Sequence, residues 1–279
     1  MELKLWSFEW FTHLCEYYNV SPEEALLLGT RADGRKPNLP GSISCKSVSD
    51  KTYEDIWDEK ERKDTQSVFD FYKDQGSWSV FRQCVRHKDM EKYHLDIMTG
   101  LTQTGALFQN MHICEYGAGV APFLTTLMKC IDTNAKMTVT ITDVQSEHFE
   151  FAKYRLNDIK EKRCLDGIDL IFEEILPEKL PEFNKKLNVV LCFEVLEHVP
   201  SPVAVINNMI DRMEKGAVYI ENFIKHEVNE KDVDGPDRLS ARKEREAYYE
   251  VVNNNFNLLF PTKEQSEVNP NITRIWTKK

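Results

Sequence analysis

Twelve residues limit what this chain can fold into more than any others: Met111–Pro122, MHICEYGAGVAP. The short apolar run His112-Ile113-Cys114 leads into Glu115, then Gly117 and Gly119, then a segment with helical character. Strand, glycine turn and helix in that order predict a nucleotide-binding α/β unit. The glycines permit a tight turn and close backbone approach to a ligand, and the free N–H groups of the helix start face it.

The rest of the chain after residue 110 keeps an alternating rhythm. Helix is expected at Pro122–Ile131, Glu147–Lys160, Pro202–Met213 and Arg238–Asn253. Strands are expected at Ile113–Glu115, Met137–Thr142 (ending at Asp143), Asp169–Ile175, Asn188–Phe193 and Ala217–Asn222, with Phe256–Phe260 and Ile272–Trp276 closing the chain. Such alternation implies a parallel sheet with helices on both faces, and the last two strands, joined without a helix, should be antiparallel.

The first third has helical periodicity instead. Residues 5–18 carry Trp6, Trp10, Phe11, Leu14, Tyr17 and Tyr18 at helical spacing. A second helix follows, with Ser21 as N-cap, Pro22 in the first turn, Glu24 completing a capping box and Gly29 as its stop. Two short helices suggest a DNA-binding helix-turn-helix, but EEALLL offers nothing to read bases, which favours a plain helical hairpin. Residues 30–50 read as a Gly-, Pro- and Ser-rich loop with a basic start, a solvated connector in preference to a lid or an anionic-substrate contact. Residues 52–75 read as one or two charged helices, Gly76-Ser77 as a break, and Trp78–His87 and 89–108 as further helix interrupted near Thr99-Gly100. The expected domain organisation is a helical cap or substrate region at 1–100 and a cofactor-binding domain at 101–279.

With a formal net charge of −10, the composition argues against nucleic acid as a partner. Seven scattered cysteines without a C-x-x-C pair read as reduced, packed thiols, and the charged N-terminus MELKLWSFEWF is no secretory signal, so a cytoplasmic protein is expected. No run approaches 18 apolar residues, so no membrane span is expected. The oligomeric state is left open.

The run from Gly117, Gly-Ala-Gly-Val-Ala-Pro, lacks the third glycine of a dinucleotide fingerprint, because Pro122 stands there. Asp143 ends the next strand, where an acidic side chain accepts hydrogen bonds from ribose hydroxyls. CEYGAG, TVTITDVQSEHFEFAKYR and NVVLCFEVLEHVPSP together resemble the class I S-adenosylmethionine-dependent methyltransferases over residues 110–279. The resemblance implies an α/β, Rossmann-like seven-stranded methyltransferase sheet with an antiparallel last strand, here preceded by the helical cap. It also implies S-adenosyl-L-methionine as cofactor. Glu115, Tyr116, Gly117, Ala118 and Gly119 should form the loop under its methionine part, with Asp143 on the ribose and Val144 beside the adenine. Glu174, with Glu173 as competitor, should lie near the adenine amino group, and Phe193 and Glu194 next to the transferred methyl. Asn188 stands where the family often has an acidic residue.

Methyl transfer needs aligned reactants, exclusion of water and, for a hydroxyl acceptor, a base. His198 and Glu194 are the catalytic candidates, with Glu197 nearby. Glu194, Glu197 and His198 at i, i+3 and i+4 would share one helical face and could hold a metal, as in the similar E-x-x-E-H of small-RNA 2′-O-methyltransferases. The same motif occurs in metal-free small-molecule enzymes, and no metal is expected here. The resulting expectation is methylation of a small molecule, oxygen slightly favoured over nitrogen. The alternatives are a metal-dependent RNA 2′-O-methyltransferase and a non-catalytic cofactor-binding regulatory module.

Overall fold

The computed structural model of the chain describes residues 5–32, 64–223, 239–262, 265 and 272–279. Its elements are helices α1 (Leu5–Tyr18), α2 (Pro22–Ala32), α3 (Thr65–Lys73) and α4 (Gly76–Gln103), then β1 (Met111–Tyr116), α5 (Pro122–Cys130), β2 (Met137–Val144), α6 (Glu147–Lys162), β3 (Ile168–Ile175) and β4 (Leu187–Cys192). They continue with α7 (Pro202–Arg212), β5 (Met213–Glu221), α8 (Leu239–Asn255), β6 (Phe256–Phe260) and β7 (Arg274–Lys278). Contacts divide the chain into two compact units, each assembled from separated segments. Unit one comprises Met1–Thr99, Gly119–Ile131 and Val144–Cys164; unit two comprises Gly100–Ala118, Asp132–Asp143 and Leu165–Lys279.

Unit two is organised by the sheet, in the order β3-β2-β1-β4-β5-β7-β6. β1 pairs in parallel with β2 and β4, and β4 with β5. β7 runs antiparallel to both β5 and β6. This is the expected Rossmann-like seven-stranded sheet with its antiparallel last strand. β1 is buried at all six positions, as an interior parallel strand requires. The core of this unit packs Val190 and Cys192 of β4 with Val205, Ile206 and Met209 of α7 and Tyr248 of α8. Asn188, in the place of an acidic residue, ties the start of β4 to its neighbours: its Oδ1 accepts from the His112 backbone N–H at 2.7 Å, and its Nδ2 donates to Glu214 at 2.8 Å.

Unit one is helical. The Ser21–Glu24 capping box forms as expected, with the Ser21 N–H donating to Glu24 at 2.8 Å and the Glu24 N–H to Ser21 Oγ at 3.2 Å. α1 and α2 make a hairpin whose Leu14, Ala25 and Leu28 join Val80, Phe81 and Phe151 in one apolar cluster. At two glycines the helices depart from expectation. α2 runs past Gly29 to Ala32. Gly29 is there for close packing: a Cβ on it would sit 2.3 Å from Val85 Cγ2 and 2.8 Å from the Phe81 carbonyl oxygen. α4 runs unbroken from Gly76 to Gln103, through Thr99-Gly100. There Thr99 bonds back to the Leu95 carbonyl at 2.8 Å, so its hydroxyl does not compete with the helix. The expected loop at 30–50 lies, from residue 33 onward, outside the described residues, as does the expected helical start at 52–63.

Candidate active site

In unit two, β1, β2, β4 and β5 run parallel, so their C-terminal ends share one edge of the sheet. A crevice outside that edge is where α/β sheets bind ligands. Most of the candidate residues come to this edge. Glu115 is buried near the end of β1, and Tyr116, its last residue, turns its ring into the core, so only its backbone reaches the turn. Gly117 follows with φ +63, a left-handed conformation that suits glycine. A Cβ there would fall 2.5 Å from Val195 Cγ2, so the turn after β1 lies flush against the segment after β4. The Ala118 N–H donates to the Thr142 carbonyl at 3.1 Å, fixing the turn to β2 just before Asp143. Asp143 is half-buried at the end of β2.

The turn continues into unit one. Gly119 (φ +54) and Ala121 (φ +48) are also left-handed, so positive φ recurs at every second residue from Gly117 to Ala121. Ala121 thus adopts the conformation that a glycine would take easily. α5 begins at Pro122, and Ala121 gives it no side-chain cap. Val144, half-buried, opens the segment to Ser146, whose Oγ caps α6 by accepting from Phe149 N–H at 3.3 Å.

The ends of β3 and β4 hold the remaining candidates. Glu173 and Glu174 are neighbours on β3, so they point to opposite faces. Glu174 is exposed, and Glu173 is half-buried. The charge of Glu173, with that of Glu115 and after burial itself, helps push the Cys114 thiol well up. Phe193 is half-buried directly after β4, and Glu194 is exposed. Glu194 has φ +53, and its N–H donates to Asn222 Oδ1 at 2.6 Å. Phe193–Ser201 is no helix. A turn closes there, with the His198 N–H on the Val195 carbonyl at 2.9 Å. The single helical face that Glu194, Glu197 and His198 would need to share does not form, because the left-handed Glu194 bends the chain away from helical geometry. Glu197 is buried, and His198 Nε2 lies 3.9 Å from its Oε1. Among the described residues no three His, Cys, Asp or Glu side chains are grouped to hold a metal.

Sequence reading missed a buried network at the end of β5. Glu221 is fully buried and accepts from the Phe223 N–H at 2.6 Å and from Trp276 Nε1 at 3.3 Å, with Arg274 Nη1 3.8 Å away. Burial pushes its carboxyl pKa up, against the pull of Arg274 and these donors. The Tyr219 and Tyr248 hydroxyls meet at 2.8 Å, and Arg274 Nη1 donates to Tyr249 at 2.9 Å. The network fastens β5 to α8 and β7. The alternation of Tyr219 and Glu221 along an apolar strand was its one sequence signal.

The profile of a family described as "Methyltransferase domain" matches residues 88–258. The chain belongs to this methyltransferase family. A search of curated proteins found no match to the sequence. Among solved structures, the magnesium protoporphyrin IX methyltransferase of Synechocystis PCC 6803 with bound SAH is similar, with a TM-score of 0.52 at 17% identity over 78% of this chain and 100% of that one. An amino pentose methyltransferase of Micromonospora echinaspora, bound to SAM and involved in calicheamicin biosynthesis, is 12% identical over 72% and 97%, with a TM-score of 0.47. This methyltransferase thus has the fold of the Synechocystis structure. Its edge residues fit S-adenosylmethionine, the cofactor that the sequence motifs imply: two left-handed glycines clear the turn of side chains, and a half-buried carboxylate at Asp143 offers an acceptor for hydroxyl donors. Among the described residues no helix is long and apolar enough to cross a membrane.

Proposed function

We propose that this methyltransferase transfers the methyl of S-adenosylmethionine to a small-molecule acceptor, with oxygen favoured over nitrogen as the methylated atom. One observation carries the cofactor half of this reading. The left-handed Gly117, pressed onto Val195 and bonded through Ala118 to β2, brings a bare backbone turn next to the end of the strand that closes on Asp143.

The cofactor supplies an electrophilic methyl on a sulfonium, so the protein's work is binding, alignment and proton management. In this reading Glu115 and the backbone of Tyr116, Gly117, Ala118 and Gly119 hold the methionine part. Asp143 accepts from the ribose hydroxyls, while Val144 and Glu174 serve the adenine. Phe193 excludes water beside the methyl. Glu194, exposed after β4, and His198, partly exposed and close to Glu197, are the groups that take the proton from a hydroxyl acceptor. Residues 1–100 select the acceptor, and the enzyme works in the cytoplasm. The acidic overall charge supports a small molecule over a nucleic acid.

Isothermal titration with S-adenosylmethionine and S-adenosylhomocysteine tests the cofactor half. We expect saturable binding that Asp143→Ala weakens at least tenfold. No heat of binding at millimolar ligand would overturn it. A radiolabelled-methyl screen over hydroxyl- and amine-bearing small molecules against an RNA pool tests the acceptor class; labelling of RNA alone would overturn that half.

A further inference from the structure

Ser79 and Gln83 are four residues apart on α4, so they lie on one face of that helix. Within unit one, Ser79 is bonded to the first turn of α6 and Gln83 to the turn that leads into α5. Ser79 Oγ lies 2.7 Å from Nε2 of His148, the second residue of α6. Gln83 Oε1 accepts from the Val120 backbone N–H at 3.3 Å. The carboxamide lies tight on the turn: a Cβ at Gly119 would be 2.5 Å from Oε1 and 3.5 Å from Nε2. This is where the backbone most needs an outside hold. Gly119 and Ala121 are both left-handed, and α5 has no side-chain cap of its own. Non-glycine residues in such conformations cost about 1–3 kcal/mol and persist only where their surroundings over-determine them.

We propose that Gln83 is a positioning residue for the cofactor. Its carboxamide oxygen holds the second half of the glycine turn in its binding shape, so a helix preceding the sheet sets the affinity for S-adenosylmethionine. Ser79, on the same face, steadies the start of α6, which follows Asp143 and Val144. The inference rests on reading the glycine turn as the cofactor loop.

The test is isothermal titration of S-adenosylmethionine and S-adenosylhomocysteine into wild type, Gln83→Met and Gln83→Glu, alongside thermal denaturation without ligand. Methionine keeps the volume and helix preference but removes the acceptor. Glutamate keeps an acceptor oxygen, and S-adenosylmethionine, with two cationic centres and one carboxylate, is not repelled by it. We expect Q83M to raise Kd about fivefold, the worth of one such hydrogen bond, with an unchanged melting temperature, and Q83E to stay within twofold of wild type. The inference is overturned if Q83M binds like wild type, if Q83E is as weak as Q83M, or if Q83M lowers the melting temperature in step with affinity. If wild type binds neither ligand, the cofactor reading itself fails and the inference falls with it.

Discussion

Mild acid should unfold this methyltransferase through its helical unit. His94 and His148 are buried in unit one, and burial lowers both pKa values from 6.5 to about 4. In the unfolded chain each imidazole binds its proton near 6.5; in the folded chain each stays neutral until about 4. Folding thus favours the neutral form, so stability is present above pH 6.5 and is lost as pH falls through the window between the two values. Linkage gives about 2 kcal/mol lost per imidazole between pH 7 and 5, or about 4 kcal/mol for the pair, a large part of the 5–15 kcal/mol typical of a folded domain. His13 and His87 are shifted in the same direction, mainly by burial, with the Arg155 charge lowering both further. Glu221 works the other way, since its raised carboxyl gains from protonation. Urea denaturation at pH 7, 6 and 5 and fixed ionic strength measures the loss, and His148→Asn should remove about half of the slope contributed by the pair. An unfolding free energy that changes by less than about 1 kcal/mol across the window would refute the assignment of buried, neutral histidines.

Gly117→Ala should weaken S-adenosylmethionine binding more than tenfold and cost about 1–3 kcal/mol, because its Cβ would overlap Val195; Val195→Ala in the same chain should restore part of the loss, measured by titration and melting. Gly29→Ala should cost about 1–3 kcal/mol without changing cofactor affinity, since its Cβ would meet Val85 and the Phe81 backbone. In thiol labelling of the native protein, exposed Cys130 and Cys164 should react quickly. Buried Cys84, pushed up to about 12, and buried Cys114 and Cys192, also raised by burial, should wait for denaturant.

The sheet was legible because its inner strands are short apolar runs bounded by acidic or small residues, as in MTVTITD and NVVLCF. The Ser21–Glu24 box was legible for the same reason that it is stable: both partners lie within one turn. What the sequence hid depends on contacts distant along the chain. Gly29 looked like a helix stop, and only Val85 and Phe81 reveal it as a packing point. The spacing of Glu194, Glu197 and His198 suggested one helical face, but spacing has that meaning only where the backbone is helical, and the left-handed Glu194 bonded to Asn222 breaks the condition. Asp143 and the glycines could be named because they follow strands directly. Gln83, Asn222 and Val195 could not, since each acts through a partner from another element.

The apolar cluster of unit one joins Leu14, Leu28 and Phe81 of the early helices to Val120 and Phe151, which the chain contributes between its strands. The N-terminal helices are therefore no detachable cassette. Grafting those of another methyltransferase here would leave Val120 and Phe151 without their matching surface, so an exchange of these helices by recombination would have to carry α5 and α6 along with it. Gradual substitution within the existing helices is the route to change that leaves the Val120 side of the glycine turn supported.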